Sequence, residues 1–316
     1  MVLGGFFMVL SECFEVFIRE KILDGCQSST ITFYEYSVKK LISFVEDQDG
    51  DISVNELHRY IQPYFLSLKE NPRLSPHSYN TLVRSVKVFT RFLLAEEYID
   101  KEIKLPKIRT LDTNIKPLST DQIRKVLNLF DTGNFEGLRD KTIFCLFLDT
   151  GIRLGELCSI QLSDVDLDEG YITIYGKGRK QRYVPIGKDL RKILWKYLKQ
   201  RCRLGKNGDQ TLILSRTGFG MTPHGIQTLF RRIRKDLGWS KLNPHLMRHS
   251  FSVNYINNGG DTFSLQRILG HTTQEMTAKY VNLSTTNIKT QHNRYSPITD
   301  LCFHRTEVGY GKFIGC

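Results

Sequence analysis

The stretch from Asn243 to Tyr280 constrains this chain most, because its punctuation leaves the backbone few options. Asn243 is a helix-capping residue type and Pro244 suits the first helical position. A helix therefore starts there, with His245 in its first turn and Arg248 three residues on, on the same side. Asp261 caps a second helix, Gly270 stops it, and Leu265, Ile268 and Leu269 form its buried side. Thr272 and Glu275 make a capping-box pair that opens a third helix, which carries Tyr280. His271 falls in the break between the last two. A positive helix end, a guanidinium fork and an imidazole pointing one way suit a tetrahedral anion. Taken alone, the same letters also describe three ordinary amphipathic helices with a few polar residues.

Charge favours the first reading. Lys plus Arg number 45 against 33 Asp plus Glu, a net charge of +12 in 316 residues, with a pI near 9.3. An excess of that size points to a polyanionic partner more than to a merely soluble surface. The length allows two domains. Seven scattered cysteines without a Cys-x-x-Cys pair suggest a reducing cytoplasm. Residues 1–18 are apolar but broken by Glu12 and Glu15, with no basic start and no small-residue cleavage site. They are expected to be a helix of the first domain, neither a signal peptide nor a membrane span. Met8 is an equally good start.

The first domain, 1–108, is expected to be all-helical, with apolar residues at helical spacing over 14–22, 33–44, 57–68 and 82–94. Ser75 is placed to cap the fourth helix. Between the second and third, the run from Asp47 to Glu56 imitates a calcium loop. Started at Asp47, it puts Ile52 where glycine belongs and His58 where a bidentate glutamate belongs. Ser53 and Glu56 instead read as a capping box. Arg84, Lys87 and Arg91 share one face of the fourth helix, either solvated or phosphate-contacting. Periodicity fades from Tyr98 to Pro117 through Lys101, Lys104, Lys107 and Arg109, and 109–118 is the expected linker.

The second domain, 119–316, opens on a Ser119–Gln122 capping box and a helix to about Phe130. An apolar core helix over 138–148 stops at Gly151, leaving Arg153 on a tight turn before a helix with Glu156. From Asp164 to Pro185 the period changes to alternation, an antiparallel sheet whose hairpin tip is Gly176-Lys177-Gly178-Arg179-Lys180. The tip lacks the spacing of a phosphate loop, and Asp164, Asp166 and Asp168 read as solvated turn acids, not metal ligands. Residues 189–203 form a basic amphipathic helix with Arg191, Lys192, Lys196, Lys199 and Arg201, and 212–214 a short strand. Thr222-Pro223 starts a helix carrying Arg231, Arg232, Arg234 and Lys235. Two basic helices, a basic linker and a basic hairpin together argue for nucleic acid. The fold class is mainly α with a small antiparallel β-sheet.

These residues resemble the tyrosine recombinase (phage integrase) family. The resemblance rests on Thr150-Gly-Ile-Arg153-Leu-Gly-Glu156-Leu, Gly176-Lys177-Gly, His245-Leu-Met-Arg248-His-Ser, Leu269-Gly-His271 and Lys279-Tyr280, in the family's order and spacing. It covers the chain to about residue 293, in a compact Xer-like layout. It implies a helical core-type DNA-binding domain followed by an α+β catalytic domain. It implies Tyr280 as nucleophile, with Arg153, Lys177, His245, Arg248 and His271 completing the active site and Glu156 supporting it. The implied activity is site-specific cutting and rejoining of double-stranded DNA at inverted-repeat core sites through a 3′-phosphotyrosyl link. A synaptic homotetramer is implied, and no metal, ATP or other cofactor.

The chemistry is consistent with that. A phenol with a pKa of about 10 is a poor nucleophile at neutral pH and needs cations around the phosphorus. Arg153 and Arg248 suit its two non-bridging oxygens, His245 suits the tyrosine proton, and Lys177 suits the leaving 5′-oxygen. His249 is expected to be structural, and Tyr295 and Tyr310 lack the spacing from a Gly-His pair that Tyr280 has. Arg84, Lys87, Arg91, Lys107, Arg179, Lys180, Arg231 and Arg232 are expected DNA contacts. The competing functions are a non-catalytic architectural DNA clamp on the same fold, and a strand-swivelling topoisomerase. A helix is expected over 283–291, and 296–316 matches nothing placed.

Overall fold

A computed structural model describes residues 8–108, 115–176, 181–204 and 209–271. It divides into two compact units, 1–114 and 115–316. Lys177, Arg179, Lys180, the Thr272–Glu275 pair, Tyr280, the 283–291 segment, Tyr295 and Tyr310 lie outside the described residues. No helix among the described residues is long and apolar enough to cross a membrane.

The first unit is helical: α1 (Leu10–Leu23), α2 (Ser28–Asp49), α3 (His58–Glu70) and α4 (Pro76–Ala95). An aromatic cluster closes its core, with the Phe17 ring 5.3 Å from both Phe89 and Phe92. Such pairs add to plain apolar burial. Ser75 caps α4 by accepting from the Ser78 N–H, and Pro76 follows it.

The Ser53–Glu56 capping box does not form. The backbone of 52–54 pairs with 8–10, Leu10 N–H donating to the Ile52 carbonyl and Val54 N–H to that of Met8. That pairing turns the Ser53 hydroxyl inward without a partner, while Glu56 pairs with Arg59. A tertiary contact has overridden a local signal. Asp47 and Asp49 lie in α2; Asp49 accepts from the Tyr60 hydroxyl and Asp51 from Ser11.

In the second unit, α5 (Thr120–Leu127) starts on the expected Ser119–Gln122 box and ends before Phe130. Leu118, at the end of the expected linker, is buried and donates its N–H to Ser250 Oγ. Next come α6 (Phe135–Thr150) and α7 (Leu154–Ser159). The sheet is β1 (Val165–Asp166), β2 (Tyr171–Tyr175) and β3 (Gln181–Pro185), antiparallel in the order β1-β2-β3, with Ile172 opposite Val184 and Ile174 opposite Arg182. Asp164 and Asp166 accept backbone N–H groups of their own turns. Then follow α8 (Lys188–Leu204), α9 (Pro223–Leu237), α10 (Pro244–Asn257) and α11 (Thr262–Leu269). Caps at Thr222, Asn243 and Asp261 each accept the expected N–H, contributing about 1 kcal/mol apiece.

Two further expectations need correction. Residues 212–214 form isolated bridges instead of a strand, Gln161 pairing with Thr211 and Leu214 with Gly220. Arg201 is not on the solvated face of α8. It is buried and donates to the carbonyls of Asp209, Thr211 and Leu212, meeting acceptors that the isolated bridges leave open.

Gly151 sits at a tight junction. It ends α6 in the left-handed region at φ +59, and a Cβ there would lie 2.4 Å from Phe251 Cδ1 and 2.9 Å from Leu269 Cδ2. Strain and overpacking add, so Gly151→Ala should cost about 2–4 kcal/mol. Urea denaturation checks this, and an unchanged midpoint would contradict the packing described.

Candidate active site

Arg248 anchors the site. From the middle of α10 its side chain runs into the core, leaving it 6% exposed. Nη1 donates to the Gly151 carbonyl at 2.7 Å and Nη2 to that of Leu269 at 2.9 Å. Nη2 also lies 3.0 Å from His271 Nε2. A guanidinium has only protons to give, so Nε2 accepts and the ring proton is assigned to Nδ1. Burial, then the charges of Arg248, Arg153 and Arg182, push the His271 imidazole down to about 4. His271 is therefore neutral at pH 7, with Nδ1–H as its donor.

Arg153 precedes α7 on the turn that Gly151 makes. Its N–H donates to Glu156 Oε2 at 2.8 Å and its Nη1 to Oε1 at 3.0 Å. The Arg153 side chain stays 45% exposed while Glu156 is 8% exposed. Glu156 has a second cation that sequence reasoning missed. Arg182 Nη1 and Nη2 donate to its two oxygens at 2.9 and 2.8 Å. Burial pushes the Glu156 carboxyl up, but hydrogen bonds from Arg182 and from Arg153 outweigh it and hold it at about 2. One signal was available: by the alternation of β3, Arg182 falls on the same face as Val184, its buried position.

His245 sits exposed in the first turn of α10, as expected. His249 lies one turn later, and burial pushes its imidazole down. Its Nε2 meets the Ile115 carbonyl at 2.6 Å, which gives it a structural partner away from the arginines. Thus Arg153, Glu156, Arg248 and His271 converge with Arg182.

The expected DNA contacts fall into groups. Arg84, Lys87 and Arg91 are exposed along α4, and Lys87, Arg91 and Lys107 line one cleft of about 630 Å³ in the first unit. Arg231 is exposed on α9, while Arg232 reaches the buried carboxylate of Asp140, which Arg139 also contacts.

Residues 116–287 match the model of the phage integrase family. The tyrosine recombinase XerD of Listeria monocytogenes is 28% identical over 295 residues, covering 91% of this chain and 99% of the relative. Among solved structures, the Tn1549 transposon integrase in complex with a circular intermediate DNA superposes with a TM-score of 0.71 at 20% identity, covering 91% of this chain and 99% of that one. A lambda integrase tetramer bound to a Holliday junction gives a TM-score of 0.66 at 18% identity, covering 84% and 78%. Both structural likenesses concern the fold.

The two shifted groups of the site, His271 and Glu156, both contribute to the acid response. Each folded value lies below the ordinary one, so each group's stabilisation is complete above the ordinary value and drains as pH falls. For His271 that window runs from 6.5 towards about 4, and for Glu156 from 4.5 towards about 2. Urea midpoints measured against pH should fall across both windows, and Glu156→Gln should make the fall in the lower one shallower. A wild-type midpoint that is flat below pH 4.5 would contradict the Glu156 geometry.

Proposed function

The chain belongs to the phage integrase family and is a site-specific tyrosine recombinase, and we propose that it cuts and rejoins double-stranded DNA with Tyr280 as the nucleophile. The observation that carries the reading is the pairing of a fixed guanidinium, Arg248, with a half-exposed one, Arg153, beside a neutral His271. Two forks suit the two non-bridging oxygens of a phosphodiester, and their bonds to the protein cost no rearrangement as charge develops. Nδ1–H of His271 adds a third donor. His245, exposed at the start of α10, takes the phenolic proton as Tyr280 attacks phosphorus. The leaving 5′-oxygen receives its proton from Lys177. The product is a 3′-phosphotyrosyl link with bond energy close to that of the phosphodiester, so reversal by a 5′-hydroxyl needs no nucleotide.

The chain acts on DNA as an oligomer. A synaptic tetramer on inverted-repeat core sites is the finer reading, supported by the lambda integrase tetramer on a Holliday junction. Arg84, Lys87, Arg91, Lys107, Arg179, Lys180 and Arg231 contact the DNA backbone. Arg232 joins them with its Asp140 pairing intact. A reducing cytoplasm fits the free thiols of Cys13, Cys26, Cys145, Cys158 and Cys202.

A nicked suicide substrate traps the covalent step. Wild-type protein should form a protein–DNA adduct, and Tyr280→Phe should form none while binding the same DNA equally well. An adduct with the Phe variant would refute the nucleophile, and binding without any wild-type adduct would favour an architectural clamp. Relaxation of plasmids lacking any specific site would favour a topoisomerase. Replacing Lys87 and Arg91 by Gln should weaken binding alike for all sequences, and the slope of log affinity against log salt should fall by about 1 for each lost contact. A sequence-dependent loss would mean base readout instead.

A further inference from the structure

Arg182 is not among the residues expected to touch the phosphate. It projects inward from β3 with its side chain 13% exposed, and its charge is matched by Glu156. Beyond the two bonds to that carboxylate, its Nε donates to the Ile268 carbonyl at 2.8 Å. Gly270 closes over it in the left-handed region at φ +63, where a Cβ would lie 3.1 Å from Arg182 Cδ. The same Glu156 oxygens accept from Arg153, and Ile268 and Gly270 lead directly into His271. One guanidinium therefore ties the sheet to the turn bearing Arg153 and to the turn bearing His271.

Resting on the recombinase reading, we propose that Arg182 is a positioning residue for strand cleavage, holding Arg153 and His271 in register around the phosphate without touching DNA. Three acceptors lie in different directions around one planar group, and Arg182 meets all of them with Nε, Nη1 and Nη2. A lysine keeps the charge but cannot reproduce that fork. If Arg182 only neutralised Glu156, lysine would suffice. Registration is steeper than neutralisation, because a displacement of about 1 Å at a reacting centre costs roughly a hundredfold in rate.

The test compares Arg182→Lys, Arg182→Met and the pair Arg182→Met with Glu156→Gln, in the full chain. For each, thermal melting, DNA affinity and single-turnover cleavage of the nicked substrate are measured below its own melting temperature. Arg182→Lys should bind DNA as wild type does and cleave about a hundredfold more slowly. The uncharged pair should melt higher than Arg182→Met alone, in which the buried Glu156 carboxylate keeps only the half-exposed Arg153 as its cation, yet should cleave no faster. Slow cleavage by Arg182→Lys at wild-type DNA affinity, below its melting temperature, is what a purely structural role would not produce, and the pair shows whether regained stability alone restores rate. Wild-type cleavage by the lysine variant or by the pair would overturn the proposal while leaving the recombinase reading intact. Absence of an adduct with wild type would overturn both.

Discussion

Arg248 carries a full positive charge into the core of the second unit, and a buried cation is tolerated only where its donors are met. Two of the acceptors here are carbonyls at helix ends, Gly151 after α6 and Leu269 at the close of α11. Helix C-termini leave such carbonyls unpaired and carry partial negative charge. Arg248 answers both at once, so α6, α10 and α11 meet at its guanidinium. Both helices end on a left-handed glycine, Gly151 or Gly270, which turns the chain sharply enough to deliver Arg153 and His271 a residue or two later. The functional side chains are thus by-products of how two helices stop.

Electrostatics completes the picture. Around this point stand Arg153, Arg182 and Arg248 against one carboxylate, Glu156. The surplus positive charge helps burial drive His271 to its neutral form, and it leaves room for an anion. A site built this way has its dipoles and charges in place before the substrate arrives, the arrangement that best stabilises charge appearing at phosphorus.

Much of this was legible in the sequence because it is local. Asn243, Asp261, Ser119 and Ser75 cap where expected, and Gly151 and Gly270 stop helices where expected, since caps and stops depend on a few consecutive residues. The approach of Arg153, Arg248 and His271 was implied by the family resemblance, in the order and spacing of its motifs, and not by any local signal. What was not legible depends on contacts between distant segments. Ser53 loses its cap to a pairing with Val9, and Thr211 and Leu214 each bridge a single residue instead of forming a strand. Arg182 and Arg201 look like surface charge in a basic chain, because an arginine's burial is decided by acceptors that come from elsewhere: Glu156 and Ile268 for the first, carbonyls of 209–212 for the second.

The central claim is that two guanidinium groups and a tyrosine meet at one backbone phosphorus. A crystal structure of the Tyr280→Phe protein on duplex DNA carrying its target site tests it most directly. The account predicts the two non-bridging oxygens of one phosphate within hydrogen-bonding distance of Arg153 and Arg248. It also predicts that the substituted ring at position 280 approaches from the side opposite the 5′-oxygen. A phosphate held elsewhere, out of reach of both guanidinium groups, would contradict it.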